Sequence, residues 1–176
     1  MNTEGNTMRY TSAEANKLLK ALELRRNTIK KKEEKAASFQ AAANENIEEL
    51  RPEYDFAKVQ AELASLNAKI REVKHAINVF NVSHTLPGYD GLTIDQALVY
   101  LPQLSEETRK LSDMASTLPR ERIESFRSMI VDYSIANYDI GEAEKAYEDV
   151  SERLTSLQLA LDKANNSDTM EIDVVL

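Results

Sequence analysis

The chain has 176 residues, no cysteine, only 4 Gly and 4 Pro, 30% charged side chains and a formal net charge of −8. The length fits one domain with a packed core. The missing cysteines exclude a disulfide scaffold and a thiolate-held metal, and the acidic balance argues against an extended nucleic-acid surface. So few turn formers among so many charges describe long helices. No N-terminal segment joins a basic run to an apolar one, and no run of about 18 apolar residues could span a bilayer. A soluble, cytoplasmic protein is therefore expected.

Residues 1–10 lack periodicity and are expected to be flexible, leaving 11–176 as a single helical domain. Thr11-Ser12-Ala13-Glu14 reads as a capping box that opens the first helix, over about 12–49. Ala15, Leu22, Ile29, Ala36 and Ala43 recur at seven-residue spacing along it. The alternate seam positions are Leu18, Arg25, Lys32 and Phe39. Two charges on the seam leave its middle weakly apolar, so the stems lie over a neighbour or this part overhangs the rest. At a length of roughly 55 Å the helix would outreach the second, which favours an overhang. Between Lys17 and Lys35, eight basic residues face three acidic ones. This stretch is either a site for an anionic partner or a solvated face balanced by acidic neighbours.

Arg51-Pro52 makes the first reversal, since proline pushes its predecessor out of the helical region, and Asp55 is placed to cap the next helix. That second helix, about 55–82, carries Phe56, Val59, Leu63, Leu66, Ile70, Val73, Ile77 and Phe80 in steps of 3 and 4. A polar turn ends it. Thr93-Ile94-Asp95-Gln96 caps a third helix over about 93–117, which Pro102 should kink or split near Tyr100. The β-branched and aromatic residues around 122–136 then favour a strand or short hairpin. Its partner would be its own hairpin, the tail from Glu171 to Leu176, or another subunit. Asp139 and Glu142 open the last helix, about 139–165, with a seam from Ile140 to Ala164. The expected fold is mainly α: an antiparallel bundle of long helices with coiled-coil heptad packing, plus a β segment near 122–136.

Chemistry-bearing motifs are absent. There is no glycine-rich phosphate loop, nucleophile elbow or paired-histidine zinc motif, and Glu72-Val73-Lys74-His75 gives the di-iron spacing only once, off the seam. No catalytic, cofactor or metal residue is assigned, and a non-enzyme is expected. The tyrosines are scattered, so they make no base-stacking platform. His75 should face solvent. The one polar cluster with a candidate role is the turn holding Asn78, Asn81, His84, Asp90, Gly91, Thr93 and Asp95. On a structural reading the Asn side chains serve free carbonyls, Asp90-Gly91 makes a tight turn and Thr93 caps a helix. On a functional reading the same residues line a small polar pocket.

Two segments of the chain, Ile77-Asn78-x-x-Asn81 and Asp90-Gly91-Leu92-Thr93-Ile94-Asp95-Gln96-Ala97-Leu98, resemble the septicolysin-like family of small bacterial helical proteins and its I-N-x-x-N … D-G-x-T-L-T-D-A-L pattern. The run Leu18 to Arg25 and the closing helix from Glu142 to Asn165 extend the resemblance over about Lys17 to Asp173. Pro102 and Asn166 depart from it, the former inside a helix the family keeps continuous, the latter where an aromatic is common. The resemblance implies a helical protein whose family name suggests a cytolysin, with no catalytic residues to carry over.

Three functions arise as expectations. The first is a non-enzymatic helical protein that self-associates as a homo-oligomer or binds a protein partner, without nucleic acid or cofactor and with membrane binding disfavoured but left open. The second is a membrane-active cytolysin using 122–136, a segment heavily charged for insertion. The third is small-ligand or metal binding at the 78–95 turn.

Overall fold

Thr11 starts the first long helix as its sequence requires. Its hydroxyl accepts the Glu14 N–H at 3.2 Å, and the Glu14 carboxylate accepts the Thr11 N–H at 2.8 Å. These bonds satisfy two otherwise orphaned donors and hold the Glu14 carboxyl below its usual range, the backbone bond from Thr11 contributing most. The structure, a computed structural model, describes residues 8–123 and 131–174. Its elements in chain order are β1 (Met8–Thr11), α1 (Ser12–Ala36), α2 (Ile47–Leu50), α3 (Phe56–Ser83), α4 (Ile94–Ala115), β2 (Arg120–Ile123), β3 (Asp132–Ile135), α5 (Ile140–Ser167) and β4 (Thr169–Ile172). The protein is mainly helical, with short antiparallel strand pairs. Where one domain is expected from length, the contacts divide into two units.

The first unit comprises Met1–Ser83 and Ala164–Leu176. Within it α1 and α3 pack antiparallel: Lys74 lies 2.9 Å from Glu23, Arg25 lies 2.9 Å from Glu62, and the Tyr54 hydroxyl donates to Glu33 at 2.8 Å. Ala15, Leu18 and Leu22 of α1 are buried, as are Leu66, Ile70, Val73, Ile77 and Phe80 of α3. The α3 set keeps the alternating steps of 4 and 3 that keep one stripe on one face. β4 pairs antiparallel with β1, Met8 opposite Ile172 and Thr11 opposite Thr169, and packs on α3. Met170, Ile172 and Val174 are buried while Glu171 points out to Arg9 at 3.3 Å, the period-2 alternation of a half-covered strand.

The second unit is His84–Lys163. Leu86, Ile94, Ala97 and Leu104 are buried on the loop and α4, and Ala143, Val150, Leu157 and Leu161 on α5. Asp139 caps α5 by accepting the Glu142 N–H at 3.2 Å. β2 and β3 form an antiparallel ribbon, Arg120 opposite Ile135 and Ile123 opposite Asp132. The Ala136 N–H closes its base on the Pro119 carbonyl at 3.2 Å, and the Tyr138 hydroxyl donates to the Met114 carbonyl at 2.9 Å. The segment expected near 122–136 thus pairs with itself; residues 124–130 lie outside the described residues.

Several expectations are corrected. The first helix ends at Ala36 rather than near Glu49, and with 25 residues against 28 in α3 it does not outreach its neighbour. Residues 37–46 are alanine-rich and carry little apolar area, so a continued helix would lack the packing that stabilises helices in water. Of the stretch expected to be flexible, Met8 to Tyr10 belong to β1, because β4 offers them a backbone partner. Pro102 does not split α4, which runs unbroken past it. The carbonyl that loses its donor belongs to Leu98, which is 47% exposed, so water can serve it.

Candidate functional site

The heptad seam of the first unit continues beyond the part that is buried. On α1 it runs from Leu22 to Ile29 and Ala36; on α3 it runs back from Leu66 to Leu63, Val59 and Phe56. Full burial stops at Leu22 and Leu66. Ile29, Ala36, Val59 and Leu63 are half-buried, while Leu24 is 68% and Phe56 65% exposed. β1 and β4 pack at the other end of the pair. Here the alternate seam positions are Arg25 and Lys32, which cannot close an apolar interface.

The result is an open groove of about 840 Å³ between α1, the first half of α3 and the segment before it. Leu24, Thr28 and Val59 contribute to its lining, with Arg25 and Lys32 from α1. From the other side come Glu53, Asp55, Lys58 and Glu62. The basic stretch of α1 therefore supplies two cations, Arg25 and Lys32, and one anion, Glu33, to one wall of a groove whose other wall is predominantly acidic. One polar knot holds the walls together. The Glu33 carboxylate accepts from the Tyr54 hydroxyl at 2.8 Å and from Gln60 Nε2 at 2.6 Å.

Desolvation first, then the bond to Glu33, pushes the Tyr54 phenol above its ordinary 10.0. A raised folded value means that the neutral form is the one the fold favours. The contribution is therefore complete below about pH 10 and is lost as pH rises through the folded value. Tyr54→Phe should lower the urea midpoint at neutral pH and lose its disadvantage in strong alkali. A wild-type minus variant difference that stays constant across that window would remove Tyr54 from this role.

The residues of the polar turn have mostly local duties. The His84 carbonyl accepts the Ile94 N–H at 2.9 Å, Thr85 bridges to Thr93, and the Leu86 N–H reaches the Leu92 carbonyl at 2.8 Å. Gly88 and Gly91 sit at φ 83° and 81°, the left-handed region that a side chain resists. Thr93 caps α4: its hydroxyl accepts the Gln96 N–H at 3.2 Å and its own N–H donates to Gln96 Oε1 at 3.0 Å. Asp95 is exposed in the first turn of α4, where a negative charge suits the helix dipole. Asp90 is exposed and His84 half-buried.

Asn78 and Asn81 belong to the other unit, on the last turns of α3. Asn78 is exposed; Asn81 Oδ1 is buried without a hydrogen-bond partner. Of the seven candidates, His84 and Thr93 take part in the hydrogen bonds of one loop, and Asp90 and Gly91 lie at its turn. Among the described residues no three His, Cys, Asp or Glu side chains are grouped to hold a metal ion, and no helix is long and apolar enough to cross a membrane. His75 is exposed, as its place off the seam indicates.

Reading the sequence alone missed a second depression of about 640 Å³, in the second unit, lined by Tyr89, Tyr100, Asp149, Glu152, Arg153 and Ser156. The α5 members recur at the spacing of one helix face, a polar stripe that could have flagged them.

No family model matches the chain, and no curated protein matches it. Among solved structures it is similar to the crystal structure of a functionally unknown conserved protein from Corynebacterium diphtheriae. The TM-score is 0.60 and the identity 18%, over 93% of this chain and 99% of that one. That likeness is one of fold.

Proposed function

We propose that this chain is a non-enzymatic helical interaction protein that works by self-association as a homo-oligomer. The observation that carries the reading is the half-exposed seam at the open end of the α1–α3 pair. There a heptad pattern written for burial continues past the last buried layer, leaving Ile29 and Val59 half-buried and Phe56 in solvent, with Leu24 exposed off the seam. A pattern of this kind is completed by further helices, in the bundle and coiled-coil manner its period describes. Sedimentation equilibrium from submicromolar to high micromolar protein tests it. The mass should rise to a whole multiple of the 19.9 kDa chain. A single monomeric mass at every concentration would sink the proposal.

The β2–β3 ribbon favours a second reading, the membrane-active cytolysin that the septicolysin-like resemblance suggests. Every one of its strand residues is exposed, among them Ile123, Tyr133 and Ile135, and an isolated two-stranded ribbon is marginal in water. Against it stand Arg120, Arg122 and Asp132 on the same four-residue strands, which are expensive on a lipid face. Dye leakage from anionic liposomes, lost when 122–136 is replaced by a polar linker, would support that reading. Intact vesicles at micromolar protein would leave self-association as the sole proposal.

A further inference from the structure

We infer that the α1–α3 groove is filled by the same groove of a second copy, about a two-fold axis running parallel to the helices. This rests on the self-association reading and names its surface and register.

The inference stands on the distribution of charge. The α1 wall presents Arg25 and Lys32 with Glu33 as its one anion, and the facing side presents Glu53, Asp55 and Glu62 with Lys58 as its one cation. A net positive wall beside a net negative one is self-complementary under a two-fold rotation, because α1 of each copy then meets α3 of the other. An axis parallel to the helices keeps every residue at its own height. Heights are fixed by the contacts within the chain: Arg25 is level with Glu62, and Glu33 is level with Tyr54 and Gln60. Lys32, one residue before Glu33, therefore comes level with the second copy's segment just before α3, where Glu53 and Asp55 lie. The four helices alternate in direction around the axis, the up-down arrangement that helix quartets commonly adopt. Leu24, Ile29 and Val59 supply the apolar layer that a single α1–α3 pair cannot close.

Lys32 and Glu53 are the sharpest probes. Both are exposed, and neither takes part in an ion pair within the described residues. In the two-fold pair the contact between them occurs twice. Lys32→Glu places like charges at both contacts, and so does Glu53→Lys. Each should weaken association about tenfold at low salt and less at high salt. In an equimolar mixture of the two variants the mixed pair has opposite charges at both contacts: one joins the two substituted positions with the signs exchanged, and the other keeps Lys32 against Glu53, so association should recover. The double variant in one chain restores opposite charges at both contacts of the homodimer. Leu24→Asp attacks the apolar layer and should abolish association.

Sedimentation equilibrium on the full chain, with far-UV circular dichroism to show that each variant is folded, reads every sample. Weak single variants with recovery in the double variant establish the interface. If the wild type associates but the charge variants change nothing, or if the double variant fails to recover, this surface or register is wrong while self-association stands. If the wild type never associates, both fall together.

Discussion

Leu22→Ala should cost about 2–5 kcal/mol of folding stability, whereas Leu24→Ala, two residues along the same helix, should stay within about 0.5 kcal/mol. Leu22 is 1% exposed and Leu24 68%. Two helical positions lie about 200° apart, so one leucine points into the α1–α3 core while the other lies on the open groove. Truncating the first removes buried apolar area and leaves a hole among side chains that cannot fully collapse. Truncating the second removes atoms already in water. Urea denaturation followed by circular dichroism, at protein concentrations too low for association, gives both values directly. Equal losses at the two positions would mean that α1 is rotated about its axis from this register. Any loss that Leu24→Ala shows only at high concentration reports the second copy rather than the fold.

The parts of this fold written in local chemistry are readable from the residues alone. Thr11 with Glu14 and Thr93 with Gln96 form the two capping boxes that their spacing announces, and Asp55 and Asp139 cap their helices through side-chain bonds to Lys58 and Glu142. The α3 seam is equally plain, with Leu66, Ile70, Val73, Ile77 and Phe80 all buried. Periodicity names the face that looks for a partner, but it carries no information on how far the partner extends. Phe56 shares the register of Phe80, yet it is 65% exposed against 2%. The same limit explains α1, whose alanines at 36 and 43 keep the heptad while offering too little area to hold a helix. The β1–β4 pairing is illegible for another reason. Four residues near each end of the chain meet across a sequence distance of about 162, and nothing local to Met8–Thr11 specifies that.

The candidate site follows the same division. Gly91 and Thr93 are legible because a left-handed turn and a helix cap are decided within a few residues. The groove is half legible: Arg25 and Lys32 on the seam announce a weakly apolar middle, and the structure shows that this middle is where the pair opens. Sequence alone leaves an overhang and a snorkelling stretch as alternatives, since both begin from the same two charges. The depression beside Tyr89 and Tyr100 needs α5 brought next to the loop and α4, a tertiary fact with no local signature.

Ile172→Asp should be the most damaging single change in the first unit, at more than about 4 kcal/mol. Ile172 is 2% exposed, on the inward face of β4 against α3, with Met8 opposite it on β1. The substitution forfeits roughly 1.5–3 kcal/mol of apolar burial. It also places a carboxyl at a position only 2% exposed, which costs several kcal/mol more if the group stays charged. Burial raises the folded pKa of such a carboxyl, so its protonated form is the better tolerated one. The damage should therefore be smallest below the unfolded value of about 4 and grow as pH rises through the folded value. Ile172→Asn, which cannot ionise, should be destabilised without that pH dependence. Glu171→Ala, one position away, should barely move the thermal midpoint, because the pair it makes with Arg9 is exposed on both sides. The contrast between neighbours is the decisive part. A strand slipped by one residue would exchange its faces, turning Glu171 inward and Ile172 outward, and the order of the two effects would invert.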